Sequence, residues 1–305
     1  RPLGLRLVDK VVEALKIAKK MAADGEEKGS KRIGDILERK SGNKAVTDSL
    51  IAPPPVDQES RMHIVEIEYH PSANDLIFSK AVEGKLMDFM ETVKNKDKME
   101  QMGLEFNMSL LLYGYPGCGK TSAAKYIAAQ LGLPLVVARL DTLISSLLGN
   151  TAKNIHKIFE FAKKQPCVLF LDEFDAIGKA RDDQHELGEL KRVVNSLLQN
   201  MDEYCQNGIL IAATNRSLEA MVRGGSFRED LYYRINVIPL TIPPIRNRKE
   251  DIVPLCLHYL HYFCQKYNLQ KSFSDQVLEE LNQYEWPGNV REIRNFVERI
   301  VVMTP

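Results

Sequence analysis

The sequence predicts an α/β protein: a parallel five-stranded sheet flanked by helices, followed by an all-α domain. Three observations predict it. Short apolar runs alternate with helical stretches through the middle of the chain. The alternation stops at Pro243-Pro244, after which only amphipathic helical periodicity remains. One apolar run passes straight into a glycine-rich turn that opens a helix. Strands alternating with helices are the mark of a parallel sheet covered on both faces.

The strands are expected at Ser109 to Tyr113, Leu135 to Ala138, Cys167 to Leu171, Ile209 to Ala213 and Val237 to Ile242, with a long helix from Val82 to Met102 ahead of them. Helical stretches follow the sheet at about 249–267, 274–284 and 288–302. Near the start, Val11, Val12, Leu15, Ala18, Met21 and Ala22 recur at helical spacing, and Ile33, Ile36 and Leu37 repeat the pattern. Ser41-Gly42-Asn43 and Pro53-Pro54-Pro55 then supply turn formers without a period, which reads as a linker. The predicted organisation is a helical unit over 1–50, a linker with a short strand over 51–80, an α/β domain over 81–243 and a helical domain over 244–305. The 305 residues exceed one average domain of about 150.

Composition excludes several classes. Hydrophobic residues at 44% and charged residues at 27% rule out collagen-like, low-complexity and wholly disordered chains. Lys plus Arg and Asp plus Glu both number 41, so charge balance gives no push towards a polyanionic partner. The five cysteines are scattered, with no Cys-x-x-Cys pair, which argues against a disulfide framework or a zinc knuckle. A reducing cytoplasm is the expected compartment. No run approaches the roughly 18 apolar residues that span a bilayer, so no membrane partner is expected. The chain opens on Arg1 rather than Met, so the natural start is expected upstream.

Gly114-Tyr115-Pro116-Gly117-Cys118-Gly119-Lys120-Thr121 fits G-x-x-x-x-G-K-[ST] and lies between a strand and the helix expected near Ser122. Such a match arises by chance in about one in a hundred chains of this length, and the strand-turn-helix context makes it rarer. In this motif backbone N–H groups from Gly114 to Ser122 cradle phosphate oxygens, the helix N-terminus adds positive potential, and Lys120 reaches the outer phosphates. Thr121 is the expected Mg2+ ligand. Val168 to Leu171 ends in Asp172-Glu173. Strand alternation sends these carboxylates to different sides, so Asp172 can hold the magnesium shell while Glu173 activates a water at the γ-phosphate. The second acid favours an ATPase over a GTPase, and no Asn-Lys-x-Asp guanine reader is present. Asn215, at the end of the next strand, can hydrogen-bond the attacking water or the γ-phosphate. Cys118 either has a lowered pKa beside Lys120 or fills a small-residue position. His258 and His261 read as a solvated or packed pair.

These elements, in this order, resemble the AAA+ family of ring-forming ATPases over roughly residues 80 to 305. The resemblance implies a P-loop NTPase sheet, an ATP site closed by a helical lid and by a neighbouring subunit, and a sensor 1 role for Asn215. Two wordings are present. From Leu110 to about Thr214 the chain looks like the AAA clade proper. From Phe227 onward, Phe-Arg-Glu-Asp-Leu-Tyr-Tyr-Arg, Ile242 to Ile252 and Trp286-Pro-Gly-Asn-Val-Arg-Glu are similar to bacterial enhancer-binding proteins, the sigma-54 activators. The seam lies near 215–226, and a fusion, natural or engineered, is the reading it suggests. By that resemblance Arg228 and Arg234 correspond to arginine fingers and Arg291 to the sensor 2 arginine of the lid. Read without it, Arg228 and Arg234 are surface residues pairing with Glu229 and Asp230.

The expected function is an ATP-hydrolysing AAA+ module, needing ATP and Mg2+, that works as a homo-oligomeric, hexamer-like ring and remodels a protein client. Two alternatives stay open: the ATPase module of a sigma-54-dependent activator, and a nucleotide-dependent scaffold with little turnover. The activators' Gly-Ala-Phe-Thr-Gly-Ala loop does not occur between Ser122 and Val168. The chain also stops at Pro305 without their DNA-reading helix pair, so direct DNA binding is not expected of it. In the loop's place Ser145 to Asn150 resembles a pore loop, with Leu147 either gripping polypeptide or packing a helix end.

Overall fold

The computed structural model describes residues 53–57, 63–72, 77–103, 107–145, 148–179 and 186–303. The helical unit expected over 1–50 lies outside the described residues, as do Ser146 and Leu147.

The sheet contains β1 (Glu66–Glu68), β2 (Ser109–Tyr113), β3 (Leu135–Arg139), β4 (Val168–Asp172), β5 (Ile209–Thr214) and β6 (Ile238–Thr241), in the order β1-β3-β4-β5-β2-β6. The five expected strands pair in parallel. A sixth, β1, adds antiparallel to β3, with Glu66 opposite Val137. The sheet thus has six strands rather than five. The extra strand comes from the linker, and its three residues, Glu-Ile-Glu, are too short and too charged to form an apolar run.

The alternation of side chains builds two cores from one sheet. Leu111, Val136, Ala138, Leu169, Leu171, Leu210 and Ala212 face one side. There they pack under α4 (Leu140–Ser145), α5 (Leu148–Lys164), α7 (Glu186–Cys205), α8 (Leu218–Arg223) and α9 (Glu229–Ile235). Their strand neighbours Leu110, Leu112, Leu135, Val137, Val168, Phe170, Ile209 and Ile211 face the other, under α1 (Lys80–Lys94) and α3 (Lys120–Leu131). The long helix expected over 82–102 is instead two, α1 and α2 (Lys96–Gln101), with Asn95 as the shared cap. Asn competes for its own backbone and ends helices more readily than it continues them. A single turn, α6 (Ala176–Lys179), follows β4.

After β6, two 3-10 turns (Ile245–Asn247 and Lys249–Asp251) lead into α10 (Ile252–Tyr267), α11 (Asp275–Gln283) and α12 (Asn289–Met303). These helices enclose a third core around Phe263, Leu260, Ile293, Val297 and Trp286. Trp286 is 2% exposed, donates from Nε1 to the Leu281 carbonyl at 2.8 Å, and stands edge-on to Tyr284 and Phe296. No helix among the described residues is long and apolar enough to cross a membrane.

Because Trp286 meets α11 and α12 in a core that α10 shares, Trp286→Ala should destabilise the helical part by about 3–5 kcal/mol, the usual loss for a buried aromatic. Urea unfolding followed by circular dichroism checks this; a change below about 1 kcal/mol would mean that the ring is not the keystone of this core.

Candidate functional site

The sheet order brings the chemistry to one edge. β5 lies between β4 and β2, so the turn after β2, Asn215 after β5 and Asp172-Glu173 at the end of β4 are neighbours at the carboxyl ends of adjacent strands. Strand order reverses there, and such crevices take ligands in open α/β sheets.

The turn from Gly114 to Gly119 joins β2 to α3, which begins at Lys120, two residues before the start expected from the sequence. Gly117 and Gly119 have φ of 76° and 105°, a region that L side chains rarely adopt. A Cβ on Gly117 would also lie 2.6 Å from the Gly288 carbonyl, and one on Gly114 would lie 2.7 Å from the Ile242 carbonyl. The turn is therefore glycine both for its direction and for its close approach to the neighbouring backbone. Tyr115 is half-exposed under the Arg246 guanidinium, 5.7 Å from its ring centre.

Lys120 Nζ donates to the Gly114 and Tyr115 carbonyls at 2.7 and 3.2 Å. Burial lowers its pKa, against the pull of Asp172, Cys118, Glu173 and Asp175. Asp172 is pushed the other way: burial raises its carboxyl, while the Glu173 N–H, Lys120, Arg139 and Thr121 counter it. Thr121 Oγ1 donates to Asp172 Oδ2 at 3.4 Å, so the two expected magnesium ligands are side by side. Hard oxygen donors beside a lysine suit a divalent cation bridging to phosphate.

Glu173 corrects one expectation. Its direction is not set by strand alternation, because β4 ends at Asp172 and Glu173 has φ of 55°. A non-glycine residue in that region costs about 1–3 kcal/mol and is held by its surroundings. Here the Glu173 N–H donates to Asp172 Oδ1 at 3.0 Å, and Asn215 Nδ2 donates to Glu173 Oε2 at 3.4 Å. The next peptides tie β4 to β5: Phe174 N–H donates to the Ala213 carbonyl, and Thr214 Oγ1 donates to the fully buried Asp175 at 3.0 Å. Asn215 is thus fixed against Glu173 by a cross-brace that the sequence reading did not single out.

Cys118 is buried, and burial pushes its thiol up despite Arg248 and Lys120. The lowered-pKa alternative is overturned; the residue occupies a small, closed space. Arg291 lies beside the turn, since a Cβ on Gly117 would be 3.1 Å from its Cβ. The structure does not bring Arg228 and Arg234 to this cluster. Arg228 forms a fork with Asp230 and reaches Asn195 Oδ1 at 3.2 Å. Arg234 pairs with Asp202. Unmentioned in the sequence reading, Phe78 places its ring against Gly119 and edge-on to Tyr126, and Ile77 packs on the lid core. Nothing in their spacing marks them, because they reach the site from before α1.

The family described as "ATPase family associated with various cellular activities (AAA)" matches residues 110–234, and "AAA+ ATPase lid domain" matches 246–305. Together they account for more than half of the chain. The chain belongs to the AAA+ ATPases. Among curated relatives, this AAA+ protein is 48% identical over 170 residues to the uncharacterized AAA family ATPase y4kL of Sinorhizobium fredii, covering 55% of this chain and 52% of that protein. It is 34% identical over 213 residues to the transcriptional regulatory protein ZraR of Escherichia coli K12, covering 64% and 47% respectively. The phenol regulator MopR of Acinetobacter guillouiae is 32% identical over 215 residues, covering 65% and 38%. The chain spans about half the length, or less, of these relatives. Its fold is also that of NtrX from Brucella abortus, solved in complex with ATP, with a TM-score of 0.57 at 20% identity over 90% of this chain and 60% of that one.

The shift at Asp172 fixes a pH dependence. Its folded pKa lies above the ordinary carboxylate value, so the folded state holds the proton longer than the unfolded one. Stability is therefore lost as pH rises through that window, and the full cost is present at neutral pH. Asp172→Asn should melt higher than the parent at pH 7, with the gain shrinking as pH falls towards 4, the ordinary carboxylate range. Melting curves across pH test this, and a gain that grows on acidification would reverse the assigned sign.

Proposed function

We propose that the protein binds ATP at the turn from Gly114 to Ser122 and hydrolyses it as a ring of identical subunits. The reading assigns the α/β ATPase domain to 81–243 and the lid to 244–305. The observation that supports it best is the convergence of Lys120, the Thr121–Asp172 pair and the Glu173–Asn215 pair at one strand edge, with Arg291 beside the turn.

In this reading the loop amides and Lys120 hold the triphosphate. Thr121 and Asp172 would hold magnesium, which would supply positive charge to the phosphate oxygens. Glu173 Oε2 takes the proton of the attacking water, and Asn215 keeps that oxygen aimed. Arg291 offsets charge on the same subunit. Arg228 and Arg234, half-exposed and tied only to carboxylates and an amide of their own chain, exchange those partners for the phosphate of the adjacent copy. A planar, permanently charged guanidinium suits that exchange. Head-to-tail contacts of this kind form rings when the rotation closes, and the ring is read as a remodeller of a protein client in the cytoplasm.

A second reading, an ATPase module of a transcription activator, is favoured by the likeness to ZraR and MopR and by the Trp286 to Glu292 wording. Against it stands Ser145 to Asn150, where the activators' contact loop would sit. A pull-down with sigma-54 in the presence of a transition-state phosphate mimic separates the two; specific retention would select the activator.

Glu173→Gln should keep ATP affinity while turnover falls about 10²–10⁴-fold. Arg228→Ala should lose about 10³-fold through the missing finger. Mixing these two inactive variants should restore on the order of a quarter of wild-type activity, because about one interface in four then joins an intact Glu173 to an intact Arg228 of the neighbour. Steady-state ATPase measurements at several protein concentrations decide this. Turnover independent of concentration and no recovery on mixing would remove the ring, and nucleotide binding with negligible wild-type turnover would select the scaffold.

A further inference from the structure

Among the described residues one buried cation has no part in the proposed catalysis. Arg248 lies between the two 3-10 turns that lead into α10 and is 2% exposed. A guanidinium taken from water is costly unless its donors are met by charge and by acceptors. Nη1 meets Asp251 Oδ2 at 3.2 Å, and Nη2 donates to the Cys118 carbonyl at 2.8 Å. Among the described residues Nε has no hydrogen-bond partner, so these two contacts aim the fork. Asp251, also buried, stands at the mouth of α10, where an acid commonly caps a helix. It makes no capping bond among the described residues and accepts instead from the Ser79 backbone N–H. The pair therefore joins the segment before α1, the phosphate loop and the lid.

The bond to Cys118 is the last of a row. Asn289 Nδ2 donates to the Pro116 carbonyl at 3.1 Å, and the Val290 N–H donates to the Gly117 carbonyl at 3.0 Å. Asn289 is held for this by accepting the Ile245 N–H at 3.0 Å and by its own φ of 56°. In a trans peptide the carbonyl and the following N–H point in opposite directions, and none of the described peptides is cis. Holding the carbonyls of Pro116, Gly117 and Cys118 against the lid turns the N–H groups of Gly117, Cys118 and Gly119 the other way. The Cys118 N–H also leans on the Tyr115 carbonyl at 3.3 Å.

We propose that Arg248, supported by Asp251, is a positioning residue for the phosphate loop: with Asn289 and Val290 it clamps three consecutive loop carbonyls onto the lid, so that lid docking sets the direction of the loop amides. What those amides then bind rests on the proposed ATP site; the clamp itself does not.

Cys118 lies inside the clamped loop and gives a readout that needs no nucleotide. In the full chain carrying Cys264→Ser, maleimide labelling of each thiol is followed by peptide mass mapping for the parent, Arg248→Met, Arg248→Lys and Asp251→Asn. Arg248→Met should raise the Cys118 rate about tenfold or more while Cys167 and Cys256, in the sheet and lid cores, stay within about twofold, as a local opening would. Arg248→Lys should recover part of the protection, and Asp251→Asn should give a smaller rise, roughly threefold. An unchanged Cys118 rate overturns the clamp, and so does a rise shared by Cys118 and the three other remaining thiols, Cys167, Cys205 and Cys256, which reports general loosening. Should Arg248→Met not fold, Arg248→Lys and Asp251→Asn carry the same two outcomes. In the nucleotide arm, Arg248→Lys should weaken ATP affinity about tenfold and change saturated turnover by less than about threefold; lost turnover at unchanged affinity overturns the positioning role. A parent that binds no ATP would sink the proposed function and leave the thiol rates to decide the clamp.

Discussion

The constraint on which the site depends is the direction of a few peptide planes after β2. Gly117 and Gly119 permit the turn through their positive φ, but permission does not select a conformation. Selection comes from outside the turn, where the lid holds successive carbonyls. This explains why the space at Gly117 is closed by Gly288 and Arg291 rather than by solvent. It also explains two otherwise expensive residues, a buried asparagine with left-handed backbone and a buried arginine. Lid and loop are one packed unit, so a displacement of either is felt by the other.

The same edge of the sheet holds groups that fold stability alone would not choose. Burial drives Lys120 towards neutrality and Asp172 towards protonation; Asp172 leads the pull that opposes this at Lys120, and the Glu173 N–H followed by Lys120 opposes it at Asp172. Glu173 adds a strained backbone. Three unfavourable features at one strand edge mark a place where the surrounding fold supplies the stability and the site uses it. The donors are identifiable. Ala213 and Thr214 of β5 tie down Phe174 and Asp175, so the strain at Glu173 is bounded on both sides by the sheet.

What the sequence made legible was what repeats or what is local. The strands follow from period-two alternation of apolar residues, which the two faces of the sheet then separate. The phosphate turn follows from a run of eight residues between a strand and a helix. Less legible were features made by residues far apart in the chain. Arg248 reaches Cys118 across 130 positions; Asn289 reaches Pro116 across 173. Both sit in stretches that the resemblance to enhancer-binding proteins covers, but no spacing between them and the turn marks the contact. β1 was expected only as a short strand, because its pairing with β3 comes from backbone bonds and not from an apolar pattern. For Glu173 strand geometry was extended one residue too far, since a left-handed backbone and not strand alternation sets its direction.

The change of wording near 215–226 has a structural counterpart in how tightly that segment is packed. Gly178, in α6, has no room for a Cβ: it would lie 2.6 Å from Met221 Cε and 2.8 Å from the Ser226 carbonyl. Phe227 packs on Phe174, with ring centres 6.1 Å apart, one residue beyond Glu173. Leu218, Leu231 and Ile235 are buried in the same core as β4 and β5. Residues from the two wordings therefore share one interior. The consequence concerns the arginines. Arg228 caps the start of α9 and Arg234 lies in its last turn, and Leu231 and Ile235 anchor that helix against the sheet. Their placement is thus set by the packing that also surrounds Glu173, so the two ends of the proposed intersubunit reaction are carried on one rigid core. A core substitution at Phe227 would therefore reach both, the arginines through α9 and the base through the Phe174 contact next to Glu173. The distance between a base and the arginines lent to it then depends on this shared interior as well as on how copies meet.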